Sequence, residues 1–146
     1  RYEDFFRSLA AHLPEKVAVR IGYDDPLSHQ IEAGSDLFLM PSRYEPCGLN
    51  QIYSLRYGAV PVVRATGGLD DTIDSSTGFK FEDYSARALA AALRAALAAY
   101  ANPGEWRRLM LNGMAKDYSW RKSAAEYAGL YRRLAPESRP GPKTST

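Results

Sequence analysis

Cysteine is almost missing from this chain. Cys47 is the only one, so no intrachain disulfide can staple the fold. The two histidines, His12 and His29, are far apart in sequence. With one cysteine they offer no metal-ligand spacing, and neither a metal nor another cofactor is expected. No apolar run approaches the ~20 residues that cross a bilayer, so no membrane partner is expected. An excess of one charge sign is lacking too. Nineteen Lys and Arg against 17 Asp and Glu leave a net charge of +2. That is too little to suggest nucleic acid as a partner. Residues 1–20 show no secretory apolar core after Arg1-Tyr2-Glu3-Asp4. With this cysteine usage the cytoplasm is the expected compartment. The chain opens inside a helical pattern and has no initiator Met, so it reads as a piece of a longer protein.

Apolar material is present in quantity. Hydrophobic residues make up 45% of the 146 positions, enough for the core of one domain. Tyr2, Phe5, Phe6, Leu9 and Leu13 recur at helical spacing until Pro14. Val17–Ile21 reads as a first buried strand, Asp36–Met40 as a second, Val60–Val63 as a third and Gly78–Phe81 as an edge strand. Helices are expected at 27–33, at about 48–57 before Gly58, and briefly after Thr66. Three more follow. One starts at the N-cap Ser85 with the stripe Leu89, Leu93, Leu97 and Tyr100. Another carries Trp106, Leu109, Met110, Gly113 and Met114. The last, from Ser119, carries Trp120, Ala124, Tyr127, Tyr131 and Leu134. These stripes read as packing faces. Residues 135–146, rich in Pro, Ser, Gly and Lys, read as a disordered tail. Apolar strands alternating with helices imply an α/β fold, a partial Rossmann-like, doubly wound parallel sheet over residues 1–134, followed by C-terminal helices.

In such a sheet, ligands bind beyond the carboxyl ends of the strands. Three segments of unusual composition fall there: Gly22–Asp25, Pro41–Leu49 and Arg64–Gly68. The middle one places Glu45 beside Pro46-Cys47-Gly48-Leu49, where a helix begins. Free amides and the helix dipole at such a start attract phosphate. Taken alone, Glu45 is equally readable as a solvated surface carboxylate. Thr66-Gly67-Gly68 allows a close backbone approach to an anion, or is an ordinary turn. It is not a P-loop, because no Lys-Ser or Lys-Thr follows at the required spacing. Tyr23 can stack on a nucleobase or sit half-buried in its turn. A nucleophilic pair would need Cys47 to meet His29 at the rim, with no third partner evident.

In order along the chain these residues resemble a known family. Pro41-Ser42-Arg43-Tyr44-Glu45-Pro46-Cys47-Gly48-Leu49-Asn50-Gln51, then Tyr57-Gly58-Ala59-Val60-Pro61, then Thr66-Gly67-Gly68-Leu69-Asp70-Asp71-Thr72 are similar to the bacterial glycogen and starch synthases. Ile21-Gly22-Tyr23, Gly78-Phe79-Lys80-Phe81-Glu82 and Ser119-Trp120 also fit, so the resemblance covers roughly 1 to 134. It implies the C-terminal, nucleotide-sugar-binding half of a two-domain (GT-B type) glycosyltransferase, with the acceptor-binding half lying upstream. The implied donor is ADP-glucose and the implied acceptor an α-1,4-glucan, extended with retention of configuration. It further implies that Glu45 is the catalytic residue, contacting the donor glucose. Cys47, Gly48, Leu49, Thr66, Gly67 and Gly68 would lie by the glucose and phosphates, and Tyr23 by the adenine. A sucrose or trehalose type synthase, or a nucleotide-binding module without turnover, are the competing readings. Two features depart from related patterns. Tyr53 stands where many related transferases carry a second Glu, which the glycogen synthase branch generally lacks too. Asp74–Thr77 is shorter than usual.

Overall fold

The computed structural model describes residues 1–135. The expected tail lies, from residue 136 on, outside the described residues. A parallel sheet of three strands, ordered β1-β2-β3, carries the architecture: β1 Leu37–Met40, β2 Val60–Arg64 and β3 Phe79–Phe81. The described residues also form seven helices, of which α3 to α6 pack on the sheet: α1 Tyr2–His12, α2 Asp25–Ala33, α3 Asn50–Tyr57, α4 Gly67–Thr72, α5 Ala86–Tyr100, α6 Pro103–Met114 and α7 Trp120–Leu134.

The central strand β2 is buried on both faces, and its alternation sorts the helices into two layers. Val63 packs with Leu55 of α3 and with Leu69 and Ile73 at α4. Val60 points the other way, onto Ala99, Trp106 and Leu109 of α5 and α6. Val62 shares that face and meets Phe81, Ala92 and Ala96. Period-two alternation along one strand thus makes the fold doubly wound.

Local chemistry fixes the helix ends. The Asp24 carboxylate accepts from Leu27 N at 3.1 Å, with Pro26 in the first turn of α2. Ser85 Oγ accepts from Ala88 N, and Asn102 Oδ1 from Glu105 N. Ser119 precedes α7 without a side-chain cap bond.

Four expectations need correction. Val17–Ile21 is not a strand; it pairs with nothing among the described residues, although Val17 and Val19 are more buried than their neighbours. β1 is not buried. It is the sheet's edge, and Leu39 is 46% exposed because no strand lies beyond it. On α5 the buried face is Ala92, Ala96 and Ala99, with Leu89 and Leu93 packed at its border, while Leu97 and Tyr100 are exposed. Small alanines let the helix approach the sheet closely. Tyr100 instead donates to Asp36 Oδ2 and stands edge-on to Trp106. No residue of α7 is buried, and its aromatic stripe of Trp120, Tyr127 and Tyr131 is exposed.

Glu32 of α2 is buried, and neither carboxylate oxygen has a partner among the described residues. Burial pushes its carboxyl above the usual range, with His29 opposing. Asp74–Thr77 closes on itself as a tight turn. Asp74 accepts from Ser76 and from Lys116 Nζ at 2.8 Å. Those partners hold the Asp74 carboxyl down to about 2. A depressed carboxyl stabilises the fold above its unfolded pKa and loses that contribution as pH falls through the folded value. Asp74→Asn is therefore expected to lower stability by about 1 kcal/mol near neutrality, after solvent screening of this half-exposed pair. Urea melts of the two proteins should converge as pH falls from about 4 toward 2.

Candidate functional site

Because the strands are parallel, the segments after β1 and β2 leave the same edge of the sheet. There they interlock. Gly68 N donates to Glu45 O at 3.1 Å. A side chain on Gly67, whose φ is +46°, would run into the Glu45 carbonyl. One on Gly68 would run into the Cys47 carbonyl. Only glycines allow the turn to seat against the Glu45–Cys47 backbone this closely. The two unusual segments therefore form one surface.

Helix α3 starts later than expected, at Asn50 rather than Gly48. Gly48 instead takes a left-handed turn (φ +73°) that carries the chain from the loop into the helix. Leu49 precedes the helix without a side-chain cap. The amides of Gly48, Leu49, Asn50 and Gln51 donate to no acceptor among the described residues. Gln51 is buried, and the three donors of Gly48, Leu49 and Asn50, in residues that keep exposed surface at the start of a helix, make a positively polarised patch suited to an anion. Glu45, half-buried, stands at the other end of this loop, and its side-chain oxygens accept no hydrogen bond among the described residues. The same loop thus carries a carboxylate without a hydrogen-bond partner among the described residues and a row of unpaired amide donors.

Gly22–Asp25 reaches the same edge even though no strand precedes it. Gly22, Tyr23, Asp25 and His29 line an open cleft of about 420 Å³ with Leu49 and Asn50. Tyr23 is 94% exposed, a free ring face and not the half-buried turn tyrosine of the competing reading. His29 Nδ1 lies 3.3 Å from Tyr57 Oη, and its ring packs on Tyr53 at 5.1 Å. It forms no hydrogen bond with Cys47, which is exposed, so no nucleophilic pair is assembled. Among the described residues no group of three or more His, Cys, Asp or Glu comes together as a metal site. A second cavity of about 410 Å³ lies behind Tyr53, bordered by Arg56, Met114, Lys116 and Tyr118, and none of the rim glycines at 48, 67 and 68 touches it.

Of the expected site residues, Glu45 and Cys47 meet Gly67 and Gly68 on adjoining loops, Gly48 and Leu49 follow on the same loop, Thr66 precedes α4, and Tyr23 shares a cleft with Leu49. Sequence reasoning gave no role to three residues that hold the rim in shape. Arg64, at the end of β2, donates through Nη1 to Arg43 O and through Nε to Glu82 O, tying the loop after β1 to the segment after β3. Its guanidinium also lies over the Tyr84 ring. Gln51 and Thr72 join the two glycine-bearing segments from beneath. The available signal was Gln51 four residues before Leu55, a polar residue on the helix face that enters the core.

Comparison with known proteins shows the family and the fold. The pattern of the family described as glycosyl transferases group 1 matches residues 3–108. A glycogen synthase of Koribacter versatilis is 53% identical over 148 residues, covering 97% of this chain and 31% of that protein. One from Anaeromyxobacter sp. (strain Fw109-5) is 55% identical over 139 residues, covering 91% of this chain and 29% of its own length. The chain thus spans about a third of the length of the curated relatives it matches. Among solved structures, the catalytic domain of starch synthase IV from Arabidopsis thaliana, bound to ADP and acarbose, superposes with a TM-score of 0.76 at 37% identity. That match covers 89% of this chain and 29% of the neighbour. A sucrose-phosphate synthase from Thermosynechococcus elongatus superposes with a TM-score of 0.68 at 28% identity, covering 90% and 34%. No described helix is long and apolar enough to cross a membrane. The sheet of parallel strands wrapped by helices is that of the GT-B type transferases, and this chain belongs to the glycosyl transferases group 1 family.

Proposed function

We propose that this chain is the nucleotide-sugar-binding half of a cytoplasmic glucan synthase. The whole enzyme transfers glucose from ADP-glucose to the non-reducing 4-hydroxyl of an α-1,4-glucan, with retention of configuration and without a metal. One observation carries the reading: the unpaired amides of residues 48–50 and Glu45, whose carboxylate accepts no hydrogen bond among the described residues, lie on one loop held by the Gly67-Gly68 turn. The glycogen synthase relatives and the starch synthase solved with ADP and acarbose support it.

The chemistry follows from charge. As the bond between glucose and diphosphate breaks, negative charge gathers on the leaving oxygen. Amide donors fixed in advance stabilise that charge with little reorganisation. The sugar becomes oxocarbenium-like, and a nearby carboxylate holds its hydroxyls and favours the developing positive charge. Glu45 therefore acts by position and charge rather than as a general base. Tyr23 offers its exposed ring to the base. The acceptor lies in the other half of the enzyme, so the isolated chain binds nucleotide weakly and transfers nothing.

The test is transfer by the full-length gene product. Labelled ADP-glucose should extend glycogen through new α-1,4 linkages. Activity with UDP-glucose alone would keep the family and reject the donor, and transfer from neither would reject the synthase reading. In the same assay Tyr23→Ala is expected to raise the donor KM roughly 10-fold, the loss of about one stacking contact, with kcat little changed. Tyr23→Phe should retain wild-type affinity.

A further inference from the structure

Gln51 is fully buried at the start of α3, and its side chain is a bridge. Nε2 lies 3.1 Å from Cys47 O, 3.1 Å from Gly48 O and 3.2 Å from Thr72 Oγ1. Thr72 Oγ1 donates in turn to Gly68 O. The two main-chain carbonyls require the nitrogen at this position, which fixes the orientation of the amide. One side chain thus links the turn after Glu45 to the glycine turn after β2. Its Oε1 is buried, has no partner among the described residues, and occupies the space a side chain on Gly48 would need. A buried amide half-satisfied in this way costs stability that an apolar residue of the same shape would not. Stability alone does not account for it, whereas setting the spacing of the two segments does.

We propose that Gln51 is a positioning residue for glucosyl transfer. Through Cys47 O, Gly48 O and Thr72 it holds the amide row of α3 and the Gly67-Gly68 turn at the separation that the leaving diphosphate needs. This rests on the donor-site reading above. Misplacement of catalytic groups by about 1 Å costs on the order of 100-fold in rate, so loss of the bridge acts on kcat rather than on the KM for the nucleotide sugar.

The experiment compares wild type, Gln51→Met and Gln51→Glu in the full-length gene product, with folded fraction, the KM for ADP-glucose, kcat and hydrogen exchange measured for each. Gln51→Met keeps the length and removes the amide. It is expected to lower kcat by about 100-fold per folded molecule, to leave the KM for ADP-glucose within about threefold, and to speed exchange of the Gly68 amide. Should Gln51→Met not fold, Gln51→Glu decides. When protonated, the carboxyl that this substitution introduces can still donate one hydrogen bond, whereas the ionised form faces only oxygens. The kcat of Gln51→Glu is therefore expected to fall with rising pH in a step the wild type lacks, with KM flat. A variant that is merely less stable, with wild-type kcat per folded molecule and a protected Gly68 amide, overturns the proposal. A flat kcat–pH profile for Gln51→Glu does the same. A wild type that transfers no glucose counts against the function reading instead, and Gly68 exchange still decides whether the bridge sets the turn.

Discussion

Glu45→Gln in the full-length gene product is expected to cut kcat by about 100- to 1,000-fold while the KM for ADP-glucose changes little. Glutamine keeps the shape and one acceptor oxygen, so ground-state contacts with sugar hydroxyls largely survive. The negative charge, which matters most once the anomeric carbon becomes cationic, is lost. An effect confined to kcat corresponds to about 3–4 kcal/mol of transition-state stabilisation. Glu45 is suited to this because its loop is held at both ends: Arg64 grips Arg43 O on one side and Gly68 N grips Glu45 O on the other. Its carboxylate makes no competing hydrogen bond among the described residues. Steady-state kinetics with active-site titration check the split. A variant with raised KM and normal kcat would make Glu45 a simple binding residue.

Gly68→Ala is expected to have the largest effect of any single methyl group added to the chain. Gly68 is buried, and the new Cβ would meet the Cys47 carbonyl well inside van der Waals contact. Neither backbone can yield cheaply. Cys47 O is held by Gln51, and Gly68 donates to Glu45 O in the same interlock. Overpacking of this kind costs about 1–3 kcal/mol or more. The larger consequence is functional, because separating the segments breaks the surface that faces the diphosphate. A fall in kcat/KM of more than about 100-fold is expected, beyond what lost stability explains. Gly129→Ala is the control. Its Cβ would find nothing nearer than Arg133 Nη1 at 3.8 Å. At a mid-helix position it should raise stability by up to about 1 kcal/mol and leave kinetics alone. Urea melts and initial rates on the three proteins separate these outcomes.

Much of the fold could be read from short apolar runs punctuated by glycine and proline. Val60–Arg64 is recognisable because a central strand must be apolar on both faces. Ser85 marked one helix start through its side-chain cap, whereas the caps formed by Asp24 and Asn102 emerged only in the structure. Val17–Ile21 misled because an apolar run specifies a preference, whereas a strand needs a neighbour to bond, and β1 pairs only with β2. Leu97 misled for a different reason. Helical spacing identifies a face, but the close approach of α5 to Val62 and Phe81 admits alanine and pushes leucine to the border. The rim was legible from Glu45-Pro46-Cys47-Gly48 and Thr66-Gly67-Gly68 only through their order along the chain and the resemblance it carries, since taken alone each is also readable as a surface loop or an ordinary turn. Their interlock was not, because a clash between a Gly68 side chain and Cys47 O depends on coordinates that no spacing encodes. Gln51 stayed hidden within the motif because burial of a polar side chain is decided by what packs over it.

The position of ADP in a crystal structure of the full-length gene product tests the central claim most directly. The diphosphate is expected within hydrogen-bonding distance of the amides at 48–50 and against the Gly67-Gly68 turn, with the base over Tyr23 and the Glu45 carboxylate beside the site of the sugar. A diphosphate bound elsewhere on the protein, with the 48–50 amides left to solvent, would contradict this placement.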